Sequence, residues 1–189
     1  MDLLDALRTR RSAALSGLTE PGPGASEIQS LLTFASRVPD HGRLAPWRFI
    51  VIEGEARARL GRFVAGVWRG KDAGMDSAAV AAGVAQWEGR FGAPLIVAVV
   101  MSPKANPKIP EVEQVLSCGA ACMNLLLGAK GMGFGAVWLT EWYAYDGAVM
   151  KELGLAGGER LAGFVHVGAE REARADRERP RLEGVVTRY

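Results

Sequence analysis

Two short stretches of the sequence carry side chains that could do chemistry. The first is the triplet Arg10-Arg11-Ser12, which stands where the apolar pattern of a first helix ends. Guanidinium groups beside a hydroxyl can hold a phosphate through charge-assisted hydrogen bonds. Cations at a helix C-terminus also stabilise its exposed carbonyls, which carry partial negative charge. The triplet therefore indicates either a phosphate site or an ordinary helix end, and its surroundings must decide.

The second stretch is the loop "RVPDHGR", between a predicted helix and a predicted strand. Arg37, Asp40, His41 and Arg43 fall within these seven residues, and prolines stiffen the loop. Binding residues concentrate on loops that rigid elements hold in place. We expect this loop to bind a ligand, with a charged surface turn as the alternative.

The other reactive residue types form no recognisable site. Cys118 and Cys122 are the only cysteines, four positions apart, and a structural zinc site needs four ligands. We expect them to be buried packing thiols. The two histidines, His41 and His166, lack the flanking residues of a serine hydrolase. The glycines of "GAKGMGFG" end a helix and open a strand, which is the reverse of a dinucleotide-binding loop.

Composition limits the class of protein. The 189 residues are 49% hydrophobic, which predicts a folded chain with one sizeable core. A net charge of +2 with scattered basic residues does not suit a nucleic-acid partner. The longest apolar runs are about ten residues, too short for a membrane span. Acidic residues near the start disagree with a secretory leader, so we expect a cytoplasmic protein.

Hydrophobic periodicity and turn residues predict alternating helices and strands. "PLIVAVVM" is a continuous apolar run, typical of a central strand covered on both faces. Strands separated by helices favour an α/β or α+β three-layer domain. No linker divides residues 1–189, and we expect the polar tail 169–189, which ends in "LEGVVTRY", to be an extended arm. The predicted helices are a first one around Leu3–Leu7, a second from Ser26 with a Ser26–Gln29 capping box, then 55–68, 76–91, 111–131 and 147–153; the predicted strands are 47–53, 94–101, 134–140 and 161–168.

Four motifs in a fixed order carry a resemblance to a known family. They are an N-terminal "RRS", then "RVPDH" with "PWRFIVIEG", then "CGAACMNLLLGAKGMGFGAVW", and finally "RPRLEGVV". Together they resemble the FMN-dependent nitroreductase family, and they are similar to its subgroup of small bacterial NAD(P)H nitroreductases. The resemblance runs through nearly the whole chain.

The resemblance implies an α+β protein with a three-layer α-β-α fold, a central mixed sheet and an extended C-terminal arm. It implies a homodimer that binds FMN at the subunit interface and uses NAD(P)H to reduce nitroaromatic, quinone or related acceptors by ping-pong hydride transfer. The flavin would carry the chemistry, so no catalytic side chain and no metal are expected. Two alternatives stay open: a flavin-binding protein with little reductase activity, and a reductive dehalogenase or flavin-modifying relative.

The same resemblance assigns roles to individual residues. The N-terminal triplet would hold the FMN phosphate and ribityl chain, helped by a tail arginine. The loop residues would reach FMN from the second subunit, and a segment after the long helix would lie beside the isoalloxazine. The residues so assigned are Arg10, Arg11, Ser12, Arg37, His41, Ala136, Val137, Trp138 and Arg179, and Arg177 could share the role of Arg179.

Two positions depart from the family pattern. Ala14 stands where many members carry a lysine that can neutralise reduced flavin, and Ala45 stands where they carry a glutamine. Arg11 and Arg43 are the candidates to supply the missing positive charge.

Overall fold

A five-stranded sheet lies at the centre of the computed structural model, which describes residues 2–71, 74–172 and 174–189. The strands are β1 (Leu18–Thr19), β2 (Trp47–Glu53), β3 (Leu95–Met101), β4 (Gly135–Leu139) and β5 (Arg160–Glu170). The helices are α1 (Leu3–Thr9), α2 (Ala25–Ala35), α3 (Glu55–Arg69), α4 (Ser77–Gly89), α5 (Glu111–Gly131) and α6 (Gly147–Glu152), with short 3-10 turns between some of them. The predicted strand 47–53 and the predicted helix 111–131 are confirmed to the residue.

Strand β3 divides the apolar side chains into two cores. All seven of its residues are buried, and successive side chains point to opposite faces of the sheet. Ile96, Ala98 and Val100 enter one core with side chains of α3 and α6, while Leu95, Val97 and Val99 enter a second core with α2 and α5. Helices therefore cover both faces of the sheet, and the predicted three-layer α+β fold is confirmed.

The sheet is antiparallel in every pairing that the described residues make, so the expectation of a mixed sheet is wrong for this part of the chain. Two helices, α3 and α4, separate β2 from β3, and they return the chain to the end of the sheet that it left. Glu53 consequently pairs with Leu95, and the two strands run in opposite directions. The single helix α5 brings β4 back parallel to β3, but β5 lies between them and opposes both.

Most other boundaries differ from those predicted by one or two residues, and two of the differences have a clear physical cause. Helix α2 begins one residue before Ser26, and its capping box is made by Glu27, whose carboxylate accepts a hydrogen bond of 2.8 Å from the Gly24 N–H. The extended backbone of Gly24 suits an N-cap position, so Ser26 falls inside the helix. Strand β5 continues to Glu170 because β1 pairs with Ala169 and Glu170, so the tail leaves the sheet after residue 170.

Helix α5 is the one helix of the described residues that is long and apolar enough, by composition alone, to cross a membrane. In the fold it is a core helix. Ala121, Cys122, Leu125 and Ala129 are fully buried against the sheet and α2. Cys122 and its neighbour Cys118 are free thiols, as expected, and burial raises their pKa values to about 12 and about 11. Neither is therefore a reactive thiolate at neutral pH.

Candidate functional site

Arginines from the two ends of the chain converge at the end of α1. Arg10 is the C-cap residue of that helix, and its Nη1 is buried without a hydrogen-bond partner among the described residues. Burial, followed by the positive charges of Arg179, Arg11 and Arg177, lowers the pKa of Arg10. Like charges repel, so a cluster of this kind favours a bound anion. We call these four residues the arginine cluster.

One backbone carbonyl and one carboxylate of the tail bind arginines of the cluster. The Nε of Arg11 donates to the carbonyl of Ala175 at 2.9 Å. Asp176 accepts from Arg179 at 3.1 Å and lies 4.0 Å from Arg11. The hydrogen bonds from the Arg177 N–H and Arg179 lower the pKa of Asp176, which therefore stays ionised. One carboxylate cannot neutralise four guanidinium groups, and the cluster keeps a net positive charge.

The residue directly after the Arg10-Arg11-Ser12 triplet, Ala13, is hydrogen-bonded to strand β4. The N–H of Ala13 donates to the carbonyl of Ala136 at 3.0 Å. Gly135 makes this close approach possible, because a Cβ there would lie 2.7 Å from the Cβ of Glu170 and 3.0 Å from Leu18. The structure thus places the Arg10-Arg11-Ser12 triplet near Ala136 and the tail arginines.

A cavity of about 550 Å³ lies beside this region, within the size range of small-molecule sites. Its walls are polar and apolar in about equal parts and come from the segment after the triplet, from β4 and from the end of α4, with one tail arginine at the edge. We call it the α4 cavity. Its lining residues are Ala13, Ala14, Leu15, Ser16, Gln86, Gly89, Arg90, Val137, Leu139 and Arg174.

The three predicted residues of β4 do not share one surface. Val137 lines the α4 cavity, while Ala136 packs in the core on the opposite face of the sheet. Trp138 is partly exposed, and its Nε1 donates to the carbonyl of Ala162 at 3.0 Å. Side chains alternate along a strand, which explains the division. Leu139, which was not predicted, joins Val137 at the cavity.

The loop with Arg37 and His41 lies against helix α5. His41 Nδ1 is 2.7 Å from a carboxylate oxygen of Glu113, and both side chains are largely exposed. The amide of Asn124 donates to the carbonyl of Arg37 at 3.1 Å. Within the described ranges, no hydrogen bond or ion pair joins this loop to the arginine cluster. The described part of one chain therefore shows no direct bond between the two parts of the predicted site.

Asp40 fixes the conformation of that loop. Its two carboxylate oxygens accept hydrogen bonds of 3.0 Å from the N–H groups of Leu44 and Ala45. Arg43 and Ala45 have positive φ angles of 53° and 44°, which are uncommon for residues other than glycine. The hydrogen bonds that Asp40 accepts therefore hold a strained backbone in place. Asp40 acts as a structural residue of the loop.

Polar atoms without partners also lie in the core next to the α4 cavity. His166 is fully buried, and neither ring nitrogen has a hydrogen-bond partner in the described part of the chain. Burial first, and the charge of Arg90 second, lower its pKa to about 4, so its imidazole is neutral. Phe91 packs against it, Tyr143 packs against Phe91, and Trp87 and Trp142 extend the aromatic group.

Sequence reasoning missed the contribution of helix α4. The helix is rich in alanine and valine, and its periodicity shows no polar face. The available signal was its last turn, "QWEGR", where polar residues follow an apolar run. Gln86, Gly89 and Arg90 in this turn line the cavity.

The arginine cluster suits an anion, and the adjoining α4 cavity has the size of a small-molecule site. Comparison with known proteins places the chain in a family. Residues 7–169 match the model of the nitroreductase family, and the chain belongs to that family. The predicted membership of this family and the assignment to an oxidoreductase class are thereby confirmed.

Individual proteins agree with this membership. The chain is 37% identical over 174 residues to the Escherichia coli (strain K12) protein named "Putative NAD(P)H nitroreductase YdjA", covering 89% of this chain and 88% of that protein. A nitroreductase-like family protein from Bacillus cereus superimposes with a TM-score of 0.84 at 21% identity, covering 100% of this chain and 96% of that chain. A mutant of the FMN and NADPH-dependent nitroreductase NfnB from sphigopyxis sp. strain HMH gives a TM-score of 0.74 at 22% identity, with coverages of 99% and 98%.

Proposed function

We propose that the protein is a cytoplasmic FMN-dependent oxidoreductase that uses NAD(P)H to reduce nitroaromatic, quinone or related acceptors. The observation that carries the proposal is the arginine cluster beside the α4 cavity. A terminal phosphate and an apolar ring system are the two features of FMN that such a site would recognise. The FMN and NADPH named for the NfnB structure, and the NAD(P)H named for the E. coli relative, support the same cofactor and donor.

The residues of the cluster fit a phosphate on physical grounds. The buried Nη1 of Arg10 has no partner among the described residues, and a buried donor without a partner is costly. Repulsion among the arginines is relieved by a dianion. Arg10, Arg11, Ser12, Arg177 and Arg179 would hold this phosphate, and Arg guanidinium groups suit bidentate contacts to its oxygens.

The chain's own part in the reaction is binding and exclusion of water. When bound, FMN supplies the hydride-transfer chemistry between NAD(P)H and an acceptor. Val137 and Leu139 would cover one side of the ring system, and the backbone around Ala13 would fix its edge. Donor and acceptor would use the open side in turn, which corresponds to ping-pong kinetics. No side chain is required as nucleophile or proton donor.

We also propose that the working unit is a homodimer with FMN at its interface. Arg37 and His41 lie in the loop against α5, make no bond to the arginine cluster in the described part of the chain, and would complete the site of the second subunit. Large apolar side chains are exposed on α1, on the first half of α5 and in the tail, and such exposure marks an interaction surface. They are Leu3, Leu4, Leu7, Val112, Val115, Leu116, Leu182, Val185 and Val186.

The first test is the flavin content of the purified protein. We expect a yellow protein with about one FMN per chain, since one arginine cluster can bind one phosphate. Oxidation of NADPH should depend on an added acceptor such as menadione or a nitroaromatic. A protein that stays colourless after incubation with FMN would overturn the proposal. FMN binding without acceptor-dependent oxidation would leave the alternative of a flavin-binding protein with little reductase activity.

A further inference from the structure

Arg90 stands at the point where helix α4 meets the α4 cavity. It is the C-cap residue of α4, directly after Gly89, and both residues line the cavity. Helix α4 approaches α3 closely because Gly61 and Gly83 leave room, and a Cβ on Gly61 would lie 2.9 Å from the carbonyl of Glu88. This packing fixes the end of α4, and with it the position of the Arg90 backbone.

The guanidinium group of Arg90 is only partly engaged by its neighbours among the described residues. Its Nη2 lies 3.2 Å from Glu141, and its guanidinium lies over the ring of Trp87 at 5.8 Å. Its Nε is buried and finds no hydrogen-bond partner in residues 2–71, 74–172 and 174–189. A guanidinium has five N–H donors and no acceptor, and Glu141 and Trp87 engage only part of the group. Because Arg90 lines the cavity, its positive charge lies close to any ligand bound there.

Few other groups at the cavity wall attract a negative charge. Ala13, Ala14, Leu15, Val137 and Leu139 are apolar. The other cation at the wall is Arg174, an exposed residue of the tail, where solvent screens its charge. The Arg90 side chain is only about one-third exposed, and its field is screened less.

We propose that Arg90 stabilises the reduced flavin in the α4 cavity more than the oxidised flavin, and so sets the reduction potential of the bound cofactor. This proposal rests on the FMN cofactor of the proposed function. Addition of a hydride to oxidised flavin adds two electrons and one proton, and leaves the ring with one negative charge. A guanidinium at the wall of the cavity binds the anion more tightly than the neutral oxidised form. Glu141 partly neutralises Arg90 and therefore limits the effect.

The test compares three substitutions with a surface control. Arg90→Ala removes the charge, Arg90→Lys keeps it, and Glu141→Gln keeps Arg90 but removes its counter-charge. Arg62→Ala, on an exposed face of α3, is the control. The dissociation constant of oxidised FMN is measured by fluorescence titration, and the midpoint potential of bound FMN by anaerobic titration against a reference dye.

Arg90→Ala should weaken binding of reduced FMN at least tenfold more than binding of oxidised FMN, which lowers the potential by about 30 mV or more. Glu141→Gln should move the potential in the opposite direction, and Arg90→Lys and Arg62→Ala should leave it near that of the unaltered protein. If the Arg90–Glu141 pair served only to stabilise the fold, Arg90→Ala and Glu141→Gln would not shift the midpoint potential in opposite directions.

Each contrary result has its own meaning. Equal potentials for Arg90→Ala and Arg62→Ala, or shifts of the same sign in Arg90→Ala and Glu141→Gln, would overturn the role of Arg90 while leaving FMN as the cofactor. Failure of the unaltered protein to bind FMN would overturn the proposed function, and this inference with it. If Arg90→Ala does not fold, the shift in Glu141→Gln decides the question.

Discussion

At the scale of single residues, the arginine cluster answers the question raised by the N-terminal triplet. Arg8 and Arg10 are close in sequence and chemically identical. Arg8 is exposed in the last turn of α1, where it needs no ligand. Arg10 is partly buried among Arg11, Arg177 and Arg179 and holds an unpartnered donor. The helix-end reading therefore applies to Arg8, and the phosphate reading is proposed for Arg10.

Arg10→Ala should weaken FMN binding by about 1.5–3 kcal/mol, the range for a hydrogen bond to a charged group. Arg8→Ala is the matched control and should change binding by less than about 0.5 kcal/mol, as expected of an exposed surface substitution. Fluorescence titration of the FMN-free protein measures both. Equal losses in the two variants would show a diffuse positive surface instead of a defined clamp.

His166 makes stability depend on pH through its burial. The unfolded chain binds a proton on this residue below its ordinary pKa of 6.5, whereas the folded protein does so only near pH 4. The folded state therefore loses stability as the pH falls from 6.5 toward 4, and the contribution is fully present above 6.5.

Between pH 7 and pH 5 we expect a loss of about 2 kcal/mol from His166. His166→Leu should abolish most of this pH dependence in urea unfolding. Phe164→Leu, at a buried position of the same strand without a titrating group, should lower stability similarly at both pH values. Retention of the full pH dependence in His166→Leu would mean that His166 is not the group that titrates.

At the scale of elements, the approach of α4 to α3 positions one wall of the α4 cavity. A Cβ on Gly61 would lie 2.9 Å from the carbonyl of Glu88 and 3.4 Å from its Cα, and backbone atoms cannot move aside as a flexible side chain can. Gly66 occupies the same helix, but a Cβ there meets nothing within 4 Å in the part of the chain that the structure describes. The two glycines form a matched pair.

Gly61→Ala should lower the free energy of unfolding by about 1–3 kcal/mol, as overpacking usually does. Gly66→Ala should raise it by about 0.5–1 kcal/mol, because alanine is the better helix former and restricts the unfolded chain. Urea unfolding at one pH measures both. A stabilising Gly61→Ala would show that α4 can separate from α3 without cost.

Elements with strong local signals could be predicted from the sequence. The length of α5 was sufficient for both of its boundaries, and the apolar run of β3 placed that strand to within one residue. Strand direction was not predictable locally, because it depends on whether one or two helices return the chain and on where β5 inserts. For the site, the triplet was visible as a motif, but the contribution of Arg90 was not. It arises from tertiary packing of α4, which has no periodic polar signal.

At the scale of the whole molecule, the exposed apolar side chains point to a second copy of the chain. Helix α1 packs against α5, and Leu3 on α1 and Leu116 on α5 remain 67% and 66% exposed. In the tail, Leu182 is 71% exposed. Obligate interfaces of this apolar kind bury on the order of 2,000 Å² or more, so we expect monomers to be scarce at assay concentrations.

A mixed-dimer experiment tests whether each flavin site uses both chains. Chains with only Arg10→Ala and chains with only His41→Ala are co-expressed, and the heterodimer is isolated with two different affinity tags. If each site takes Arg10 from one chain and His41 from the other, the heterodimer carries both defects in one pocket and neither in the other. FMN content should then recover to about half of that in the unaltered dimer, while each homodimeric variant stays depleted.

A heterodimer of Arg10→Ala with the unaltered chain is the control, and it should keep one intact pocket whichever arrangement holds. Equal impairment of both pockets in the doubly altered heterodimer would show that each site is built from one chain.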